Sequence, residues 1–214
     1  MSQPYTLYYS PGTASLCVHW MLVHLGVPHG LIKLDMDAGA QKTPDYLKLN
    51  PAGRIPTLIV DGQPRFESTA LLMLLAERHP EAGLAPPVGS PDRADWLVEM
   101  VYLANNLLPA FRDWFYAAKD GASDAEAVRA LARKRIEEIF DRLDQRLSDG
   151  RKHLVGANLS TVDLLATMLM RWSRNMPRPA TSWPNLTRYI TAMRALPSFI
   201  ATCDREDLTE WRNP

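Results

Sequence analysis

Glu67 and Ser68, an acid followed by a hydroxyl, stand where a strand-like run gives way to a helical one. The first N–H groups of a helix have no intrahelical acceptor, and the aligned peptide dipoles leave that end positive, so the junction suits a carboxylate ligand. Glu67 adds an anion able to pair with an ammonium; Ser68 taken alone is equally a plain helix cap. A second acid and hydroxyl, Ser160 and Asp163, carry a different meaning. A serine at the N-cap and an acid three residues on satisfy each other's backbone N–H, so at the head of an apolar helix they are structural, not chemical. More hydroxyls crowd the N-terminal end of the chain, at Tyr8, Ser10, Thr13 and Ser15, with Cys17 two residues beyond. Cys17 and Cys203 form no CxxC pair, and the five histidines show no HExxH or HxH spacing. Neither a metal site nor a dithiol redox motif is expected. Cys17 reads as a buried helix-face cysteine.

The elements that would position these residues follow from periodicity. Tyr5 to Tyr9 is rich in β-formers, and Ser10-Pro11-Gly12-Thr13 is turn chemistry. From Ser15 to Leu25 the apolar positions recur at helical spacing, with Gly26 as the natural stop. Gly30 to Leu34 completes a β-α-β unit, hence a parallel pair. Thr43 to Leu49 reads as a short helix and Ile55 to Val60 as a third strand. Asp61-Gly62 is a tight hairpin turn into Arg65 and Phe66, and Ser68 to His79 is a helix stopped by Pro80. That order is thioredoxin-like. Residues 81 to 91 hold Gly83, Pro86, Pro87, Gly89 and Pro91 and read as a linker. Everything beyond reads as helical: Arg93 to Leu108, bent near Pro109 and continuing to Ala118; Ala125 to Leu147, with Val128, Leu131, Ile136, Ile139, Phe140, Leu143 and Leu147 on one face; an apolar Thr161 to Trp172; Asn185 to Leu196; Ser198 to Arg205. The expectation is an α/β thioredoxin-like domain over 1–80, a linker over 81–91 and an all-α domain over 92–214.

Among 214 residues, 24 Lys and Arg balance 24 Asp and Glu, which argues against a partner bound through general phosphate attraction, so no nucleic acid is expected. No apolar run approaches the eighteen or so residues a spanning helix requires, and Met1 to Tyr9 does not read as a signal peptide, so no membrane is expected. Two distant cysteines fit a reducing compartment, and a cytoplasmic location is expected.

The block Asn50-Pro51-Ala52-Gly53-Arg54-Ile55-Pro56-Thr57-Leu58 resembles the glutathione-site loop of soluble glutathione S-transferases. Glu67-Ser68, eleven residues past Pro56, resembles that family's second glutathione-contacting motif. Gly156 to Asp163 is similar to its capping-box signature, and the stretch from Trp183-Pro184-Asn185-Leu186 to Pro197-Ser198 to its ending. Three motifs in order, across nearly the whole chain, identify the chain as a member of that family. The resemblance implies a cis peptide before Pro56, which turns the backbone of Ile55 outward to pair with the cysteinyl unit of glutathione. It implies that Ser68 binds the γ-glutamyl carboxylate and Glu67 the ammonium of the same moiety. Arg54 and Lys42 are candidates for the glycyl carboxylate, though either is equally a solvated surface charge, and Gln41 competes.

The family's chemistry requires a glutathione thiolate, favoured by a hydroxyl donor and the N-terminus of the first helix. The string Leu7 to Leu16 is most similar to the bacterial beta class, whose cysteine is replaced here by Ala14 and whose histidine falls at Ala104. A mixed disulfide of the beta-class kind is therefore not expected. Of the remaining donors Ser15 ranks first, then Thr13, Ser10 and Tyr8. The electrophile pocket is expected between the domains, with Asn106, Phe111 and Trp114 among its residues. The resemblance further implies a two-fold homodimer through the helix after Glu67 and the start of the first long helix, with Arg78, Arg93, Asp95, Trp96 and Met100. The implied activity is thiolate addition to a small electrophile, with glutathione as co-substrate and no metal. A glutathione-dependent peroxide or disulfide reductase, or a non-catalytic interaction module on the same fold, are the alternatives.

Overall fold

A computed structural model describes residues 4–211; the ends of the expected domains, 1–3 and 212–214, lie outside the described residues. The elements in chain order are β1 (Tyr5–Tyr9), α1 (Leu16–Leu25), β2 (His29–Lys33), α2 (Pro44–Leu49), β3 (Thr57–Val60), β4 (Gln63–Phe66), α3 (Ser68–Arg78), α4 (Asp92–Tyr102), α5 (Leu108–Tyr116), α6 (Ala125–Arg146), α7 (Thr161–Trp172), α8 (Pro184–Arg194) and α9 (Pro197–Arg205). The chain divides into two compact units: residues up to Gly83 together with Arg194 onward, and Leu84–Met193. The last helix thus differs from the expected assignment of everything past residue 91 to one helical domain.

In the first unit the sheet order is β2-β1-β3-β4. β1 runs parallel to β2, as a β-α-β crossover demands, while β1–β3 and β3–β4 are antiparallel. Asp61 and Gly62 take φ of 52° and 75°, the two positive values a type I′ hairpin needs. Gly26 closes α1 in the left-handed region, as its position predicts. Along β1 burial alternates, with Tyr5, Leu7 and Tyr9 inward. α1 is buried over Leu16 to Leu22, more than one apolar stripe would require, because a second surface covers it. That surface is α9: the Trp20 ring meets Phe199 edge-on at 4.9 Å, and its indole N–H donates to Ser198 Oγ at 2.9 Å. This packing is why the last helix belongs with the sheet.

In the second unit α7 is buried from Thr161 to Arg171 and forms its centre. Trp96 of α4 donates to Thr161 Oγ1 at 2.9 Å, and Phe111 of α5 and Phe140 of α6 meet at 6.3 Å. Residues Leu103–Leu107 are π-helical, between α4 and α5. Pro109 follows, and without an N–H it cannot donate to the carbonyl four residues back; the wider turn absorbs the mismatch where a bend was expected. On α6 the inward face is Ala132, Ile136, Ile139, Phe140 and Leu143. Leu131, expected there, is 51% exposed, since Ala132 holds the inward position one residue on. Ser160 and Asp163 form a capping box, Ser160 N–H donating to Asp163 Oδ2 at 2.8 Å. Asp163 also accepts from Leu154 N–H at 2.9 Å and from the Tyr189 hydroxyl at 2.8 Å. Burial pushes the Asp163 carboxyl up, against those hydrogen bonds.

Candidate functional site

The sheet register brings three of the sequence motifs to one edge. Tyr8 of β1 sits opposite Thr57 of β3, and Thr57 sits opposite Phe66 of β4. The segment leaving β1 (Ser10 to Ser15), the segment entering β3 (Ile55-Pro56) and the segment leaving β4 (Glu67-Ser68) therefore emerge side by side. Adjacent strands lie about 4.8 Å apart, so three strands span about 10 Å, the length of an extended tripeptide at about 3.3 Å per residue. α1 and α3 both begin at this edge, so the positive ends of two helices face it.

The Ile55-Pro56 peptide is cis. Ile55 precedes the ladder, which starts at Thr57, so its backbone is not paired with a neighbouring strand. The loop that presents it is anchored by Asn50, buried at the end of α2. Asn50 donates to Arg54 C=O at 2.8 Å and to Thr57 Oγ1 at 3.2 Å, and accepts from Ala52 N–H at 3.1 Å. The Tyr46 hydroxyl donates to Arg54 C=O at 2.7 Å and lies 2.8 Å from Thr57 Oγ1. Gly53 has φ of 57°, and a Cβ there would sit 2.9 Å from Gln41 C=O, so only glycine lets the two segments approach. Lys42 Nζ donates to Ala52 C=O at 3.3 Å, which holds that cation beside the loop; the Arg54 side chain is exposed. The anchoring roles of Tyr46 and Asn50 escape sequence reasoning, although the Asn50-Pro51 lead-in marks the place.

Glu67 takes φ 71° and ψ 105° at the N-cap of α3, a backbone conformation costly for a non-glycine residue and concentrated at functional sites. Its side chain is exposed and makes no cap hydrogen bond, and the buried Ser68 opens the first turn of the helix. An ammonium beside Glu67, a carboxylate at the α3 N-terminus and a second carboxylate near Arg54 and Lys42 would each meet opposite charge.

Four hydroxyls stand near the end of β1, and the structure separates them. Ser15 is 0% exposed. Its Oγ donates to Ser10 C=O at 3.1 Å and accepts from Ser10 N–H at 3.3 Å, so it closes the loop from inside. Ranked first from sequence as the donor to a ligand sulfur, Ser15 is sealed from one, because it faces the turn it caps. Thr13 is half-buried; its Oγ1 donates to Ser10 C=O at 2.7 Å and lies 3.0 Å from Ser15 Oγ. The Ser10 carbonyl accepts from Ser15 Oγ and Thr13 N–H as well, so Thr13 Oγ1 can release its hydrogen without stranding it. Tyr8 packs edge-on against Tyr46 at 5.7 Å. Cys17 is fully buried, its Sγ donating to Ala14 C=O at 3.5 Å, and burial pushes its thiol up to about 12. It stays protonated near neutral pH, as a packing residue does. Among the described residues no cluster of ligating side chains could hold a metal ion, and no helix is long and apolar enough to cross a membrane.

The three expected pocket residues do not face one place. Phe111 is fully buried between Phe140, Phe115 and Trp172, a core residue and not a lining one. Asn106 is exposed, its amide donating to Tyr102 C=O at 3.0 Å, beside Leu97, Val98 and Val101. Trp114 lies in a shallow groove against α6, with Ala130 and Lys134. At about 100° per residue, positions five apart on a helix, as Asn106 and Phe111 are, point to different faces. Trp96 and Met100, expected on a dimer surface, are also fully buried; Leu97, Val98 and Val101 are the exposed apolar side chains of α4.

Residues 3–77 match the family model described as the N-terminal domain of glutathione S-transferase, and residues 103–197 match that of its C-terminal domain. A glutathione S-transferase from Xanthomonas campestris pv. campestris is 31% identical over 169 residues, 78% of this chain and 81% of that protein. A bacterial beta-class glutathione S-transferase from Sphingomonas chungbukensis superposes with a TM-score of 0.85 at 26% identity, covering 95% of this chain and all of that one. A sphingomonad glutathione S-transferase complexed with glutathione gives 0.84 at 28% identity, covering 95% and 100%. The motif order along the chain, the sheet edge that gathers the first two motifs and the matched family domains agree: this chain belongs to the glutathione S-transferase family.

Proposed function

We propose that the chain is a glutathione transferase that ionises bound glutathione and adds its sulfur to a small, apolar electrophile. The row Tyr8, Thr57 and Phe66 carries this reading, because it sets the hydroxyl turn, the unpaired Ile55 backbone and the Glu67-Ser68 junction along one tripeptide length. Ile55 pairs with the cysteinyl unit as an added strand would. Ser68 and the first N–H groups of α3 bind the γ-glutamyl carboxylate, Glu67 its ammonium, and Arg54 with Lys42 the glycyl carboxylate. Thr13 then directs its hydroxyl at the sulfur, and the α1 N-terminus adds its dipole; both favour the thiolate. With an activated aryl halide the S–C bond forms, the C–halogen bond breaks, halide leaves and the thiol proton passes to solvent. The complex of glutathione with the sphingomonad relative supports the same ligand here.

Glutathione titrated calorimetrically into the protein should give saturable binding at millimolar or lower concentration, and a nitro-activated aryl halide should then be conjugated. Absence of binding would refute the reading. Binding without turnover of aryl halide, peroxide or disulfide would favour the non-catalytic module. The same reading places a second copy against the exposed α4 side chains Leu97, Val98 and Val101, as a two-fold contact in a cytoplasmic enzyme.

A further inference from the structure

Glu206 ends α9 and uses both carboxylate oxygens inside the first unit. Oε2 accepts the Gly12 N–H at 2.8 Å, and Oε1 lies 2.7 Å from His19 Nδ1, with both side chains of that pair 0% exposed. Gly12, with φ of 67°, is the left-handed residue of the turn that carries Ser10 and Thr13. A carboxylate 194 positions along the chain therefore grips the middle of the hydroxyl turn. With both oxygens of the carboxylate accepting, His19 Nδ1 is the donor of this pair, and His19 Nε2 is buried without a hydrogen-bond partner. The imidazole itself is wedged between Tyr9 and His29, at 5.7 Å from each ring.

We infer that Glu206 is a positioning residue for thiol activation: by holding Gly12 it fixes the turn that aims Thr13, while His19 holds the carboxylate. The inference rests on the glutathione reading above and deepens it. Two features separate this role from general stability. The packing of α9 on α1 has its own contacts, the Trp20–Phe199 rings and the Trp20–Ser198 hydrogen bond, which do not involve Glu206. The groups held by Ile55, Glu67 and Ser68 lie on other strands, so ligand binding and thiol activation can be lost separately.

The test uses the full chain with Glu206→Ala, Glu206→Asp and Glu206→Gln, measuring glutathione KM, kcat, the titration of the bound thiol and Tm. Alanine removes the grip, and aspartate, one methylene shorter, cannot reach both partners while keeping the charge. Glutamine can accept from Gly12 and donate to His19 Nδ1 in its other tautomer, so it should rescue the turn. Expected for Ala and Asp is a bound-thiol pKa raised by about one unit, which is a roughly tenfold lower kcat at neutral pH, with glutathione KM within about twofold. Gln should restore kcat and the thiol titration even with a lower Tm, since His19 would then bury an unpartnered N–H. If alanine does not fold, aspartate decides. A folded Asp variant with wild-type kcat and thiol titration, or a loss of kcat across all three that merely follows Tm, would overturn the assignment. Such a result with glutathione still bound overturns this inference alone; a wild-type protein that binds no glutathione overturns the site reading and this inference with it.

Discussion

Replacing Thr13 by valine keeps the side chain's shape and removes one hydroxyl. That hydroxyl donates to Ser10 C=O at 2.7 Å, an acceptor also served by Ser15 Oγ at 3.1 Å and by Thr13 N–H at 3.3 Å. On binding, Thr13 would exchange a neutral bond of about 1 kcal/mol for one to a thiolate of about 1.5–3 kcal/mol. The net gain is about 0.5–2 kcal/mol in favour of the ionised sulfur, or about 0.4–1.5 pKa units. Thr13→Val should therefore raise the pKa of bound glutathione by that amount and lower kcat at neutral pH roughly threefold to thirtyfold, with Thr13→Ser restoring both. The assay is ultraviolet titration of the enzyme-bound thiolate, with kcat measured in parallel. Ser15→Ala should instead lower Tm, because it leaves the part-buried Ser10 N–H short of an acceptor. A thiolate titration moved by Ser15→Ala and untouched by Thr13→Val would refute the assignment of roles within the turn.

Ser68→Ala should weaken glutathione binding roughly tenfold, about the 1.4 kcal/mol of a hydrogen bond to a charged group, while the bound thiol titrates unchanged; calorimetry separates the two. Asp163→Ala strands the buried Ser160 and Leu154 N–H groups and should lower Tm by several degrees in a thermal scan, with stability reduced by about 2–4 kcal/mol. For Cys17 the folded pKa, about 12, lies above the unfolded value of 9.0, so the unfolded state loses its proton first as pH rises. Stability should therefore fall from about pH 9 toward pH 12, and a denaturant series at rising pH should show a shallower decline in Cys17→Ala. Val98→Glu, at a 62% exposed position, should convert the proposed two-fold dimer to monomer by light scattering; a wild-type monomer at micromolar concentration would sink the dimer reading.

Local chemistry was legible in the sequence wherever the interacting groups are near neighbours. The Asp61-Gly62 hairpin, the stop at Gly26, the Ser160–Asp163 box and the limits of α7 all arise from contacts within about one turn, so residue types and spacing suffice. The two motifs that resemble glutathione-contacting ones were legible for a related reason: the cis Ile55-Pro56 peptide and the positive φ of Glu67 are features of the local backbone. What covers each face was decided only by the tertiary structure. Ser15 and Thr13 are both hydroxyl residues at the head of one helix, yet one is buried and the other half-buried, because Ser15 Oγ turns inward to bond both the N–H and the C=O of Ser10. Phe111, Trp96 and Met100 were expected at surfaces and lie in cores, while Leu131, expected inward, lies outside. Helical spacing says which residues share a stripe but not which neighbour buries it. The grip of Glu206 on Gly12 and His19 had no sequence signal at all, since its partners stand 194 and 187 positions away and meet only when α9 packs on α1. Hydrogen bonds within a turn can be read from order along the chain; those between its two ends exist only once the core has closed.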